Sequence, residues 1–231
     1  MRSHALRWPV KRTGAAVPRA PATPGSAVTV GAAGWMQQLC TRQQLPAGYA
    51  DDANEIIGGL ARRVAALHRA RRRPLVVGIS GAQGSGKTTL SAFLEAWLER
   101  EEGLSAATLS LDDCYLDNAS RQALAAEVHP LLVTRGVPGT HDVELAASLL
   151  DALTASTGEV RLPVFDKVRD DRAPEASWRR VRAPVDVVLF EGWCVGARPQ
   201  PAAALAAPIN ELEALAYPGI SCSMCRVRRS K

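Results

Sequence analysis

The stretch "VVGISGAQGSGKTTL", Val76 to Leu90, constrains this chain more than any other part of it. An apolar run meets a glycine-rich turn, and the turn passes directly into Lys87, Thr88 and Thr89. Gly81, Gly86, Lys87 and Thr88 satisfy G-x-x-x-x-G-K-[ST] in the context that gives this pattern its meaning, a strand before and a helix after. Glycine permits backbone angles that aim successive N–H groups at one anion, and a helix opening at the turn adds its positive end. The loop Gly81, Ala82, Gln83, Gly84, Ser85, Gly86, Lys87, Thr88 and Thr89 is therefore the expected cradle for a nucleoside triphosphate. Lys87 suits the β and γ phosphates, and the Thr88 hydroxyl suits Mg²⁺.

The flanking pattern fixes the fold class. Ile56, Ile57, Leu60, Val64 and Leu67 recur at helical spacing within Tyr49–Arg72. "PLVVGIS" (Pro74–Ser80), "AATLSL" (Ala106–Leu111) and "VDVVLFEG" (Val185–Gly192) are short apolar runs suited to strands buried on both faces. Helices are expected at Thr88–Glu102, Ser120–Val128 and His141–Ala155, the last capped by Thr140. Strands alternating with helices imply α/β: a P-loop NTPase three-layer sandwich with a parallel sheet.

Acids at the carboxyl ends of such strands face the ligand cleft. Asp112 is the expected base, taking the proton of an acceptor hydroxyl as a phosphoryl group moves. Its neighbour Asp113 is the alternative, or a capping or metal-shell residue. Glu191 stands where a metal-associated acid would sit, unless it only caps its strand. No N-K-x-D guanine-reading motif accompanies these, which favours a small-molecule kinase over a GTPase.

Five segments together resemble the D-glycerate 3-kinase type of P-loop kinases, relatives of uridine kinase, phosphoribulokinase and bacterial pantothenate kinase. They are "GAQGSGKTTL", "LSLDDCYL", "HPLLVTRGVPGTHD", "LPVFDKVRDDRAP" and "VVLFEGWCVGARP", within about Leu45 to Glu211. The resemblance implies ATP and Mg²⁺ as cofactors and a small hydroxy acid, D-glycerate first, as acceptor. A nucleoside or a pantothenate-like alcohol is the alternative acceptor, and a nucleotide-binding remnant without turnover the alternative role. Tyr115 is expected to line the acceptor pocket. Arg135 could grip a carboxylate and His141 and Asp142 could bind hydroxyls; alternatively Asp142 caps a helix and Arg135 pairs with it. Asp166, Lys167 and Arg172 are candidate acceptor or phosphate contacts, or members of an exposed charged loop. Trp193 is expected to pack rather than stack on a ligand.

The ends of the chain depart from this pattern. Residues 1–33 are expected to be a disordered extension, 34–215 an incomplete kinase domain and 216–231 an atypical tail. "YPGISCSMCRVRRSK" does not continue the resemblance, so the C-terminal strands and lid of such kinases are expected to be missing, leaving the strand at 74–80 with an apolar open edge. Net charge is +5, in short blocks such as "HRARRR" and "SWRR". With no nucleic-acid signature beside them, these imply solvated faces rather than an RNA or DNA partner. No apolar run is long enough to span a membrane. Five cysteines, an odd number and widely spaced except for the lone CxxC of "CSMC" (Cys222 to Cys225), which without a second ligand pair is weak evidence for zinc, together with the lack of a secretory signal fit reduced thiols and a cytoplasmic location.

Overall fold

A computed structural model describes residues 32–46 and 48–198; the tail at 216–231, including "CSMC", lies outside them. Helix α1 spans Ala32–Arg42 and α2 spans Tyr49–Arg71. Strand β1, Leu75–Ser80, runs through the glycine loop into α3, Lys87–Arg100, and β2 follows at Ala106–Ser110. Helices α4 (Asn118–Glu127) and α5 (Val143–Ala155) come next. Strands β3 (Gly158–Leu162), β4 (Phe165–Asp166), β5 (Asp171–Arg172), β6 (Arg179–Ala183) and β7 (Val187–Gly192) complete the order.

The three apolar runs form one parallel sheet in the order β1-β7-β2. Strand β7 is central and almost wholly buried, which accounts for its unbroken apolar sequence. Its side chains alternate between two cores. Val187 and Leu189 join Leu75, Phe93, Leu94 and Trp97 beneath α1, α2 and α3. Val188 joins Ala107, Leu109, Leu149 and Leu153 beneath α5. Helices thus cover both faces, giving the three layers. Among the described residues β1 is an edge strand, with Val76 half exposed.

Several boundaries differ from the sequence expectation for local reasons. Helix α1 was not foreseen: Trp35, Met36, Leu39 and Cys40 bury one face, but the composition before it hides the period. Trp35 meets Trp97 edge-on at 5.9 Å, a pairing that contributes about 0.5–1.5 kcal/mol beyond burial. Helix α4 begins at Asn118 because Asp117 accepts from the Ser120 N–H at 2.7 Å. The cap of α5 is Asp142, which accepts from the Leu145 N–H at 2.9 Å. Thr140 is instead fully buried and donates to the Val137 carbonyl. Strands β3 and β6 pair antiparallel, with Val160, Leu162 and Ala183 inward and Arg161, Arg180 and Arg182 outward. No helix among the described residues is long and apolar enough to cross a membrane.

Two adjacent glycines in α2 provide a test of this packing. A Cβ on Gly58 would lie 2.4 Å from the Trp97 ring, whereas one on Gly59 would meet nothing within 4 Å. Alanine normally gains about 1 kcal/mol over glycine inside a helix. Gly59→Ala should show that gain in a denaturant titration. Gly58→Ala should lose about 1–3 kcal/mol, because the buried indole has nowhere to retreat.

Candidate active site

The glycine loop closes on itself through short contacts. Gly84 and Gly86 sit at φ +74° and +84°, where a side chain would be strained. A Cβ on Gly81 would come within 2.7 Å of Ser85 Oγ. Gly86 caps α3 without any side-chain hydrogen bond, so the first-turn N–H groups of the helix remain directed at the loop. Lys87 Nζ donates to the Ala82 carbonyl at 2.9 Å, bringing its charge over the same concavity. A concave, cationic nest of N–H groups fits a polyphosphate tail.

Opposite the loop lies the end of β2, which continues into a 3₁₀ turn, Leu111–Cys114. A cleft of about 350 Å³ separates the two and is lined by Gln83, Gly84, Lys87, Thr88, Ser110, Asp112, Asp113, Lys167, Glu191 and Trp193. The structure therefore brings together eight of the residues singled out in sequence for the chemistry, Gln83, Gly84, Lys87, Thr88, Asp112, Asp113, Lys167 and Glu191. Trp193 was expected to pack, but its side chain is 39% exposed because it follows the end of β7 and turns into the cleft mouth.

Glu191 is 4% exposed, and its Oε1 accepts from Thr88 Oγ1 at 3.3 Å and from Ser110 Oγ at 2.8 Å. Ser110 was not anticipated from sequence, since a serine ending a strand carries no signal of its own. Asp112 is held at both oxygens, by Tyr115 Oη at 3.2 Å and by Lys167 Nζ at 3.1 Å. Asp113 accepts from the Phe165 N–H at 3.0 Å. Burial pushes the Asp113 carboxyl above its ordinary value, partly opposed by that N–H and by Lys167.

The other candidates lie beside the cleft rather than on its wall. Tyr115 is buried and stacks on His141 at 4.4 Å. Burial drives the Tyr115 phenol upward, with the Asp112 charge adding to it, and pushes the His141 imidazole downward. Arg135 does not pair with Asp142: its partner is Asp170, and Asp142 pairs with Arg172 at 3.2 Å. The exchange follows from the chain path, because the β4–β5 turn brings Asp170 to Arg135 and Arg172 to Asp142. Asp166 accepts from the Val168 and Arg169 N–H groups and so shapes that turn. His141 Nε2 and Arg172 Nε are buried without hydrogen-bond partners.

The oxygen set of Thr88, Glu191 and the nearby Asp113 fits Mg²⁺, a hard ion bound through one or two carboxylates plus phosphate oxygens and water. Among the described residues no group of three acids, histidines or cysteines forms a cage by itself.

The model of the phosphoribulokinase / uridine kinase family matches residues 76–197, just over half of the 231-residue chain. D-glycerate 3-kinase, chloroplastic, of Arabidopsis thaliana is 40% identical over 150 residues, covering 61% of this chain and 32% of the relative. An uncharacterised kinase, mug58, of Schizosaccharomyces pombe is 41% identical over 135 residues, covering 55% and 48%. The solved D-glycerate 3-kinase from Cryptococcus neoformans superposes with a TM-score of 0.56 at 35% identity, covering 64% of this chain and 54% of that one. The chain thus spans about a third to a half of the curated relatives' length.

The raised Asp113 carboxyl gives a pH-dependent expectation. The folded chain binds that proton more tightly than the unfolded one, so Asp113 ionises at a stability cost as pH rises above about 4. Asp113→Asn keeps an acceptor for Phe165 and removes the charge. Its melting temperature should exceed the wild type's at pH 7, and the difference should vanish as pH falls below the unfolded carboxyl value.

Proposed function

Since the chain belongs to the phosphoribulokinase / uridine kinase family, we propose that it transfers the γ-phosphoryl group of ATP to a hydroxyl of a small hydroxy acid, D-glycerate first. The observation that carries this reading is the placement of Asp112 across one cleft from Lys87 and Thr88. The D-glycerate 3-kinases among its relatives support the choice of acceptor.

In this reading the glycine loop and the start of α3 hold the triphosphate by backbone N–H groups, and Lys87 leaves Ala82 to neutralise the terminal phosphates. Thr88 and Glu191 would hold Mg²⁺, which would supply neutralisation of the triphosphate's charge. Asp112 accepts the acceptor's proton as its oxygen attacks phosphorus in line. Tyr115 Oη and Lys167 fix both oxygens of Asp112, so little reorganisation is needed at the moment of transfer. The acceptor's acid group is assigned to Arg135, which keeps a partly exposed guanidinium. Its further oxygens are assigned to the region of His141 and Arg172, where an unsatisfied buried polar atom otherwise costs about 1–3 kcal/mol.

Asp112→Ala separates chemistry from binding. ADP formation in the presence of D-glycerate should fall by about 10²–10⁴-fold, while affinity for ATP, read from Trp193 fluorescence, should stay close to wild type. Equal turnover in the variant would remove Asp112 from its role.

A further inference from the structure

Arg121, on α4, has no part in the reading above, yet its side chain is fully buried. An isolated buried guanidinium is strongly disfavoured unless its donors are paired. Here they are. Nε donates to the Val133 carbonyl at 3.2 Å and Nη1 to the Leu116 carbonyl at 2.8 Å. Nη2 donates to both the Asp170 carbonyl at 2.7 Å and Asp170 Oδ2 at 2.6 Å. One side chain therefore ties α4, the segment before it and the Pro130–Val133 turn to the far end of the β4–β5 turn.

The geometry points to Arg121 as a positioning residue that, through Asp170, holds the Phe165–Arg172 turn at the cleft and so sets where Lys167 meets Asp112. The two ends of the turn are pinned independently. At the start, the Phe165 N–H donates to Asp113 Oδ1. At the end, Asp171 Oδ1 accepts from the Asn118 N–H, and Arg172 Nη2 donates to the Tyr115 carbonyl. Asp170 lies between, at φ +54°, a left-handed conformation that aspartate tolerates better than most residues. Arg135 grips the other Asp170 oxygen, and both guanidiniums face the Phe165 ring, at 5.4 Å for Arg121 and 5.7 Å for Arg135.

Between these anchors Lys167 reaches Asp112 Oδ2 with a side chain that is itself 60% exposed. A long, exposed lysine has many rotamers, and an exposed ion pair alone orders it weakly. Its placement over the cleft thus depends on the backbone that carries it. That backbone is held by a buried arginine outside the reaction.

The test is a double-mutant cycle, supplemented by a measurement that needs no turnover. Arg121→Lys keeps the charge but loses the fork; because the site is fully buried, Asp170→Gly removes the carboxylate end of the tie, together with the Arg135 pair, while keeping the bond to the Asp170 carbonyl, and suits the positive φ. Asp170→Gly should lower kcat with D-glycerate by about tenfold while ATP affinity changes by less than about twofold, and should lower kcat no further in a Lys167→Met background. Equal losses in both backgrounds, or ATP affinity falling in step with kcat, would overturn the proposal. Its kinetic arm rests on the kinase reading, so hydrogen exchange decides the case separately. The Val168 and Arg169 amides should exchange at least about tenfold faster in either variant, with α3 unchanged. Unchanged exchange at those two amides would overturn the positioning role even in a fully active enzyme. A wild type without turnover but with this exchange pattern would instead reject only the assigned reaction.

Discussion

A single buried carboxylate organises the site. Glu191 is the penultimate residue of the central strand β7, and its Oε1 takes hydrogen bonds from Thr88 at the start of α3 and Ser110 at the end of β2. Those two residues follow or end the two strands that flank β7. One oxygen therefore links three strand ends, which fixes the glycine loop relative to the acidic turn at Leu111–Cys114. A carboxylate at 4% exposure is costly unless it accepts such bonds. The same atoms form a hard-oxygen set suited to a divalent cation, so the contact that closes the site is also one that a bound Mg²⁺ would use.

Around this core the site is layered outward. The phosphate side is built from backbone: glycine angles, a helix start and one lysine. The side proposed to accept the proton is built from side chains, with Asp112 braced by Tyr115 and Lys167. Behind it, Tyr115 stacks on His141 and meets Phe165 edge-on, and the Arg121–Asp170–Arg135 bridge lies against the Phe165 ring. Burial acts on each group in the expected sense, raising the carboxyl of Asp113 and the phenol of Tyr115 and lowering the imidazole of His141.

What sequence could reveal followed the range of the physics involved. The phosphate loop and the three sheet strands were legible because their determinants are local: glycine conformation, unbroken apolar runs and helical period. Asp112 and Glu191 stood out because parallel sheets present ligands at strand ends, and both line the cleft. The errors came from longer-range partners. Arg135 and Asp142 are close in sequence and of opposite charge, yet each pairs with the β4–β5 turn, at Asp170 and Arg172. Thr140 and Asp142 both suit a helix cap, and only the start of α5 at Val143 decides between them. Strand β6 has arginines at three of five positions and gives no apolar run, because its inward apolar residues are only Val181 and Ala183. Arg121 gave no signal, since an arginine on a short helix is ordinarily a surface residue.

The central claim is that the nest at the tip of β1 holds the triphosphate with Asp112 facing its terminal phosphate. A crystal structure of the chain with a non-hydrolysable ATP analogue and Mg²⁺ tests it most directly. The account predicts the β and γ phosphates within hydrogen-bond reach of the Gly84–Thr88 N–H groups and Lys87, the metal beside Thr88 and Glu191, and Asp112 across the cleft from the γ phosphate. Phosphates bound elsewhere, or Asp112 turned away from them, would contradict it.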